Sequence, residues 1–427
     1  MSLTPRVPPG APPRPAMLAP FRVRSFRFQW PADLATSWAA EMEVLALGWF
    51  VLAETGSVLL LAVFASLPFL GTLVAPAFGV VGDRIGHRNL LCAMRALYLL
   101  LASVLLVLAA TGLLTPVHAF AVAALGGVVR ASDMGLRNVL ISETMPPERL
   151  MGALGLSRIT ADSARVIGPL AGAGMVAGLG MAWAYGMIVA LYGASVLLTR
   201  GVAPRPRPAG PPVARASPWG ELRQAARLVR DTPPQMAAMC LAFLINLTAY
   251  PFVLGLLPYV AREVYGSGQA ALGLLSASAA LGCVAAALLI SRLGQAVLPG
   301  RVMMAAALAW HALTIALGLT TGMAGGVAVL LLAGLAQAFC IVPMSVLQLR
   351  NAPAELRGRV MGLRTLAVYG LPIGLWIAGP LIGALGFAAT ATLYGAVGLA
   401  GTLAILLRWR AHLWPAAAPA NAPRESP

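Results

Sequence analysis

The stretch GVVGDRIGHR, residues 79–88, joins two long apolar runs and sets four ionisable side chains among three glycines. Only 10% of the residues in this chain are charged, so the cluster of Asp83, Arg84, His87 and Arg88 is unusual here. Glycines permit a tight turn of the backbone. The stretch therefore predicts a short polar turn between two helices that cross a membrane.

The rest of the chain has the composition of a membrane protein. Of its 427 residues 59% are hydrophobic, and the mean hydropathy is +0.83, whereas a soluble domain is about half apolar and a quarter charged. A helix needs about 20 apolar residues to cross the hydrocarbon layer, and the runs do not alternate as barrel strands do. We predict an all-α membrane protein with twelve spans, near residues 30–53, 57–81, 90–112, 117–141, 152–178, 182–200, 235–257, 270–290, 302–320, 325–348, 359–385 and 387–407.

The arginines favour one orientation in the membrane. They cluster before the first run, in alternate loops and after the last run, while the other set of loops holds Arg262 and little else. Loops on the cytosolic side of membrane proteins are enriched in basic residues. We therefore expect a multi-pass protein of the inner (plasma) membrane with both termini in the cytosol.

Several classes of chemistry do not fit the composition. All thirty basic residues are arginine, so the chain has no lysine for a Walker phosphate site or a Schiff base. The four cysteines and four histidines are scattered without the spacing of metal ligands. The arginines that produce the net charge of +16 lie mainly in the loops on the predicted cytosolic side, so we expect no nucleic-acid partner. We also expect no metal and no cofactor.

The loops and repeats divide the chain into two halves. We expect a disordered cytosolic tail (1–26), a six-helix bundle (27–200), a cytosolic linker with an amphipathic helix at 219–231 (201–234), a second six-helix bundle (235–408) and another cytosolic tail (409–427). The sequence IGPLAGAG (167–174) matches AGPLIGAL (378–385), PPERLMGALGL (146–156) matches PAELRGRVMGL (353–363), and residues 83–86 match 291–294. Duplicated bundles of this kind are a transporter architecture, with the substrate site between the halves near the bilayer midplane.

This pattern resembles the major facilitator superfamily of transporters. Its signature between the second and third helices is Gly-x-x-x-Asp-Arg-x-Gly followed by basic residues, and Gly79, Asp83, Arg84, Gly86 and Arg88 match it, with His87 where a second basic residue is usual. The sequence RNVLISETMPPERL (137–150), followed by Gly-Pro, resembles the branch that contains enterobactin exporters and macrolide efflux proteins. The resemblance implies that Asp83 holds the cytosolic side shut in one state by accepting hydrogen bonds from a helix N-terminus or an arginine of the other bundle. The simpler alternative is that the arginines fix the topology and Asp83 caps the next helix.

Charged residues inside the spans are candidates for proton coupling, because burying a charge in a membrane is costly. Glu41 and Glu43 lie in the first span and point about 200° apart, so we expect only one to face a central cavity. The trios Arg130, Asp133, Arg137 and Arg158, Asp162, Arg165 each lie on one helical face. If the two helices that carry these trios form a hairpin, the trios would lie at equal depth in the membrane as two ladders of arginine and aspartate. The alternative is that they only stiffen this hairpin.

Two further sets of residues are candidates for gating and for substrate binding. The Gly-Pro motif in each half resembles the motif of the antiporter branch and would bend a helix or allow close packing; it comprises Gly168, Pro169 and Gly172, with Gly379, Pro380 and Gly383 in the second half. Aromatic and amide side chains on an apolar wall suit a bulky amphipathic ligand, although each could equally serve helix packing. These are Asn246, Tyr250, Trp310, Gln337, Gln348, Tyr369 and Trp376.

Together these features predict a monomeric secondary transporter. The most consistent function is proton-coupled efflux of a drug, siderophore or other amphipathic metabolite by alternating access of the two halves. The alternatives are a proton-coupled importer of a small metabolite and a non-transporting scaffold or sensor. A membrane-embedded enzyme that acts on lipids would need clustered nucleophiles, bases or metal ligands, which the sequence lacks.

Overall fold

The computed structural model describes residues 16–72, 74–203, 218–293, 298–353 and 356–414, and every regular element in these ranges is a helix. The first half begins with a 3-10 helix, Ala16–Arg22. It continues with α1 (Arg24–Thr55), α2 (Val58–Ser66), a 3-10 turn (Leu67–Thr72), α3 (Ala75–Ile85), α4 (His87–Ala110), α5 (Pro116–Thr144), α6 (Pro147–Leu179) and α7 (Met181–Arg200).

The second half repeats this arrangement after α8 (Pro218–Asp231), which lies where we expected an amphipathic helix. Its elements are α9 (Pro233–Thr248), two π-helical segments (Pro251–Gly255 and Val260–Val264) around α10 (Leu257–Tyr259), α11 (Gln269–Leu293), α12 (Pro299–Leu319), α13 (Met323–Arg350), α14 (Arg357–Thr365), a 3-10 turn (Leu366–Tyr369), α15 (Gly370–Leu385), α16 (Phe387–Arg408) and α17 (Arg410–Leu413).

Within these ranges, nine helices are long and apolar enough to cross a membrane, or ten if α2 and α3 form one bent span. The long helices α1 and α6, of 32 and 33 residues, are not among them. Both carry several charged residues in their middle sections, which lowers their hydropathy. The twelve spans predicted from the sequence require α1 and α6 as well, and that number stays a prediction.

The repeat is visible in the turns of the two halves. Gly180 joins α6 to α7 and Gly386 joins α15 to α16, each as a single residue with positive φ (88° and 82°). Only glycine adopts this conformation without strain. The matched segments 146–156 and 353–363 are 207 positions apart, while 167–174 and 378–385 are 211 apart, so the second half has four more residues between them. The 3-10 turn Leu366–Tyr369 interrupts the helix in this interval, whereas α6 is continuous.

The two ends of the bundle differ in charge. One end of the bundle contains the turns at residues 85–87 and 144–147 and the last residues of α7, and we call it the arginine-rich face. It also carries the exposed Arg84, Arg350 and Arg357. The opposite face contains the turns at 55–58, 110–116, 179–181 and 385–387, and its only described arginine is Arg262.

Parts of both predicted tails are ordered. Residues 16–22 form a 3-10 helix and α1 begins at Arg24; Phe21 packs edge-on against Phe26 and Trp30 at 5.3 Å, and the group contacts Ile141. After residue 408, α17 buries Leu413 against Gly300. Residues 1–15, 204–217 and 415–427 lie outside the described residues, and with them the remainder of both tails and the Pro-rich linker.

Several close contacts between the halves lie near the opposite face. A Cβ on Gly379 of α15 would be 3.0 Å from the Leu59 Cα, and one on Gly273 of α11 would be 3.0 Å from the Pro169 carbonyl oxygen. Arg262 donates a hydrogen bond of 2.7 Å to the Leu52 carbonyl. A buried apolar cluster of the second half includes Leu45, Ala62 and Ala173 from the first. The halves are therefore joined by apolar packing close to one membrane face.

Candidate functional site

A cavity of about 200 Å³ lies inside the first half, between α1, the α2 segment, α4, α5, α6 and α7. Its lining holds an unusual concentration of charged and phenolic side chains. These are Glu41, Glu43, Tyr98, Arg130, Asp133, Arg137, Arg165 and Tyr192. The structure thus brings six of the eight proposed coupling residues to one cavity, while Arg158 and Asp162 are not part of its lining.

Both glutamates of α1 contribute to this cavity. This cavity lies within the first half and not between the halves, so which of the two glutamates faces a central cavity stays a prediction. Glu41 is the strongest electrostatic partner of both Arg130 and Arg165. Glu43 accepts a hydrogen bond of 3.1 Å from the Tyr192 hydroxyl and also attracts Arg130. Glu41 therefore links the charged faces of α5 and α6.

Each of the two predicted trios contains one ion pair within its own helix. Arg137 is ion-paired with Asp133 one turn away on α5, and Arg158 pairs with Asp162 at 3.2 Å on α6. The α5 pair is buried. The Arg158 side chain is 67% exposed, so the two pairs have different surroundings.

A buried ion-pair network, which the spacing of charged residues did not predict, lies next to this cavity. Asp33 of α1 is ion-paired with Arg95 of α4, and Arg95 also donates to the Thr199 hydroxyl of α7. Arg137 lies 3.8 Å from the Asp33 carboxylate, donates to its carbonyl at 3.1 Å and donates to the Ser37 hydroxyl at 2.7 Å. Asp33 and Arg95 both lie in predicted spans, so a full count of ionisable residues in those spans would have found them.

The substrate-binding candidates of the second half fall into two groups. Tyr250, Trp310 and Gln337 form a cluster: the first two rings meet edge-on at 4.9 Å, and the Gln337 amide donates to the Tyr250 hydroxyl at 3.3 Å. The other candidates lie outside this cluster. Asn246 bonds to its own helix at Ala242, and Trp376 is 52% exposed and donates to Ser66 of α2.

The remaining two candidates lie toward the arginine-rich face. The Tyr369 hydroxyl is buried without a hydrogen-bond partner in the 3-10 turn Leu366–Tyr369. Gln348 is fully buried; its carbonyl accepts from Gln235 at 2.8 Å, and its side-chain oxygen accepts from Arg364 at 3.2 Å.

Arg364 is a further charged side chain of the second half, which the sequence pattern did not single out. It lies one residue before the end of α14, where the span breaks, and it also donates to the Ser345 hydroxyl at 2.6 Å. Its electrostatic partners are Tyr250 and Cys340. The candidates that the sequence offered in the second half were apolar or uncharged polar residues, and Arg364 was not among them.

The glycine-rich turn at residues 79–88 forms as predicted. Gly86 has a φ of 88° and joins α3 directly to α4. His87 is buried, lies 2.8 Å from the Glu143 carboxylate of α5 and 3.8 Å from Asp83, while Arg88 donates to the Val202 carbonyl at 3.2 Å. Arg84 is exposed, and a Cβ on Gly79 would meet nothing within 4 Å.

The Gly-Pro motifs pack against neighbouring helices. A Cβ on Gly168 would lie 2.6 Å from the Glu41 Cβ, and one on Gly172 would lie 3.0 Å from the Met42 Cα. Both α6 and α15 continue through their prolines, Pro169 and Pro380, without a break in the helix. Gly383 has no such neighbour within 4 Å.

The chain matches the family model described as "transmembrane secretion effector" over residues 15–426. This match covers nearly all of the sequence and includes both halves. The chain belongs to this family of major facilitator transporters. It is therefore a membrane transporter of the major facilitator type, and its family and fold are those of transporters rather than of enzymes.

Solved structures of other transporters share this fold. The nucleoside transporter NupG is similar with a TM-score of 0.70 and 16% identity, covering 90% of this chain and 99% of its own. The POT family transporter PepTSo gives 0.72 and 12%, covering 92% and 99%. The human organic anion transporter MFSD10 gives 0.62 and 16%, covering 91% and 99%. No curated protein sequence matches the chain. At these identities the likeness shows the fold alone.

Proposed function

We propose that this transporter is a proton-coupled exporter of an amphipathic small molecule. It works as a monomer in the inner (plasma) membrane, with the arginine-rich face and both termini in the cytosol. Glu41 and Glu43 take up and release the proton, and the substrate binds between the halves, against the wall that contains Tyr250 and Trp310. The match to a family of secretion effectors supports the direction of transport.

The observation that carries this proposal is the position of the two glutamates in a cavity with Arg130 and Tyr192. A carboxylate beside an arginine is stable in its charged form. When the arginine moves to another partner, a carboxylate in apolar surroundings is favoured in its protonated form. Glu41 has two arginines within electrostatic range, on α5 and on α6. A small movement of α1 relative to either helix therefore changes how strongly its charge is compensated.

The contacts between the halves support alternating access. They lie near the opposite face, so in this arrangement the site is closed there, and the arginine-rich face is the side from which a cytosolic substrate would enter. Closure of that side in the other state would bring the turn at residues 79–88 toward the second half, as the family resemblance implies. Rocking of the halves then moves the substrate across without opening a continuous pore.

Proton flux in vesicles with purified full-length protein tests the proposal. A pH-sensitive dye inside the vesicles would report acidification driven by an outward substrate gradient, with benzalkonium and 4-butylbenzoate as the first two candidate compounds. Glu41→Gln and Glu43→Gln should each lower the coupled flux at least tenfold, because an amide does not carry the proton. Glu54→Gln is the matched control, since Glu54 is exposed near the end of the same helix.

Full coupled flux in both the Glu41→Gln and Glu43→Gln variants would refute the assignment of the coupling residues. Substrate movement into cells, against the expected direction, would assign the protein as an importer instead.

A further inference from the structure

We propose that the exported substrate is an amphipathic anion, and that Arg364 and Arg165 bind its carboxylate, phosphate or sulfonate group on either side of Tyr250. This inference names the substrate class and rests on the proposed transport function. It is carried by the balance of charge in the interior and by the surroundings of Arg364.

Charges away from the helix ends balance within the first half. Among the described residues, five carboxylates accompany five arginines there: Asp33, Glu41, Glu43, Asp133 and Asp162, with Arg95, Arg130, Arg137, Arg158 and Arg165. The described interior of the second half contains Arg364 and no carboxylate. Among the described residues, these interior charges therefore leave one positive charge in excess, at Arg364.

The partners of Arg364 are neutral. Its guanidinium donates to the Ser345 hydroxyl at 2.6 Å and to the Gln348 side-chain oxygen at 3.2 Å, both on α13. Both bonds are made by the same terminal nitrogen, Nη1, so neither uses the other side of the guanidinium fork. An arginine that stays charged in a membrane is costly unless an anion compensates it. A carboxylate, phosphate or sulfonate would offer the guanidinium an oppositely charged, bidentate partner, which the neutral hydroxyl and amide oxygens do not.

Tyr250 connects this arginine to the first half. It lies within electrostatic range of both Arg364 and Arg165, which belong to different halves. Gln337 already donates to the Tyr250 hydroxyl, so the hydroxyl hydrogen is free to point toward an acceptor on the substrate. The Tyr250 ring offers an apolar surface for the body of the molecule, and the fully buried Trp310 ring packs edge-on against Tyr250 and supports it. Two arginines, one hydroxyl and an aromatic ring are the groups that an anion with a hydrophobic body requires.

The four extra residues of the second half contribute to this site. The 3-10 turn Leu366–Tyr369 begins two residues after Arg364 and ends the regular helix there. In the first half the equivalent segment of α6 is continuous. The insertion therefore distinguishes the second half from the first at the position where the uncompensated arginine lies.

A set of three probes with one apolar body tests the charge preference. The compounds are 4-butylbenzoate, its neutral amide 4-butylbenzamide and the cation 4-butylbenzylammonium. Their binding to the purified full-length transporter can be measured from the concentration dependence of its thermal unfolding temperature. We expect the benzoate to bind at least tenfold tighter than the amide and the ammonium compound.

Variants then locate the site. Arg364→Gln should remove the preference for the benzoate, Arg165→Gln should reduce it, and Arg364→Lys should retain part of it if the folded protein is otherwise unchanged. Arg350→Gln is the matched control, because Arg350 is an exposed arginine at the end of α13 and should have no effect. If Arg364 only connects α14 to α13, its replacement should lower the unfolding temperature but leave the order of the affinities for the three probes unchanged.

The inference is overturned if the wild-type protein binds the amide or the ammonium compound as tightly as the benzoate, if it binds no benzoate at millimolar concentration, or if Arg364→Gln retains the preference. Because binding requires no transport, these outcomes are separate from the failure of the proposed function. A protein that prefers the benzoate but couples no proton flux would refute the exporter assignment and leave the anion site in place.

Discussion

Asp33 is the residue on which the interior of the first half depends most directly. It contacts arginines from two other helices, Arg95 on α4 and Arg137 on α5, and Arg95 continues the network to Thr199 on α7. Each ion is costly to bury on its own, so the arrangement is stable only while all partners are present. The network therefore fixes the relative positions of four helices beside the cavity that contains Glu41 and Glu43.

Replacement of Arg95 by methionine should destabilise the transporter by about 3–5 kcal/mol, because it leaves Asp33 buried with one weaker partner. Arg158→Met removes an ion pair whose arginine is mostly exposed and should cost about 0–1 kcal/mol. The double variant Asp33→Asn with Arg95→Met should recover part of the loss, since it leaves no uncompensated carboxylate. Unfolding of detergent-solubilised protein by sodium dodecyl sulfate gives these energies. Equal losses for the two single variants would contradict the role of the network.

The residues of this network show what sequence reasoning can and cannot provide. The spacing of Arg130, Asp133 and Arg137 correctly placed them on one face of α5, because positions three and four apart are neighbours on a helix. It could not say that Arg137 turns toward Asp33, since spacing along one helix contains no information about which other helix lies opposite. The position of Glu41 relative to Arg130 and Arg165 depends on three helices, so spacing along one helix could not give it.

At the scale of elements, α6 is positioned by how closely it approaches α1. Gly168 and Gly172 lie against Glu41 and Met42, and the absence of side chains there lets the two helices come together. The contact sets the distance between Glu41 and the charged face of α6. The sequence motif indicated two possible roles for these small residues, bending of the helix and close packing. In the structure they pack closely within a continuous helix.

Two alanine substitutions on α6 should have opposite effects. Gly168→Ala places a Cβ 2.6 Å from the Glu41 Cβ and should cost about 1–3 kcal/mol of stability, as overpacking does. Gly174→Ala meets nothing within 4 Å and should stabilise the helix by about 0.5–1 kcal/mol, because alanine loses less backbone entropy than glycine. The melting temperatures of the purified variants test this. A loss of stability in both, or in neither, would show that close packing at Gly168 is not what requires glycine.

The repeat offsets in the sequence indicated a difference between the halves, but we did not predict the helix interruption in the second half. The offset between the repeats changes from 207 to 211, which requires four additional residues between the matched segments. Either a longer helix or an interruption would have accommodated them. The structure has the interruption, at Leu366–Tyr369, and this choice depends on packing against α9 and the first half rather than on local propensity.

At the scale of the whole molecule, the two halves of the chain contact each other near one face. Their contacts there include the approach of Gly379 to Leu59 and the hydrogen bond from Arg262 to Leu52. Transport by alternating access requires these contacts to separate and others to form near the arginine-rich face. The contacts at the opposite face are therefore expected to be part of the transport cycle and not only of stability.

A disulfide across this face should stop the cycle. In the double variant Leu59→Cys with Gly379→Cys, the two Cβ atoms would lie 3.5 Å apart, at the lower end of the range for disulfides. Oxidation should then hold α2 against α15 and abolish substrate-driven proton flux in vesicles, and reduction with dithiothreitol should restore it. The two single variants keep the four native cysteines and should transport equally well under both conditions. Undiminished flux in a double variant shown by mass spectrometry to be cross-linked would mean that the halves do not separate here, and rocking of the halves about the site would have to be abandoned as the mechanism.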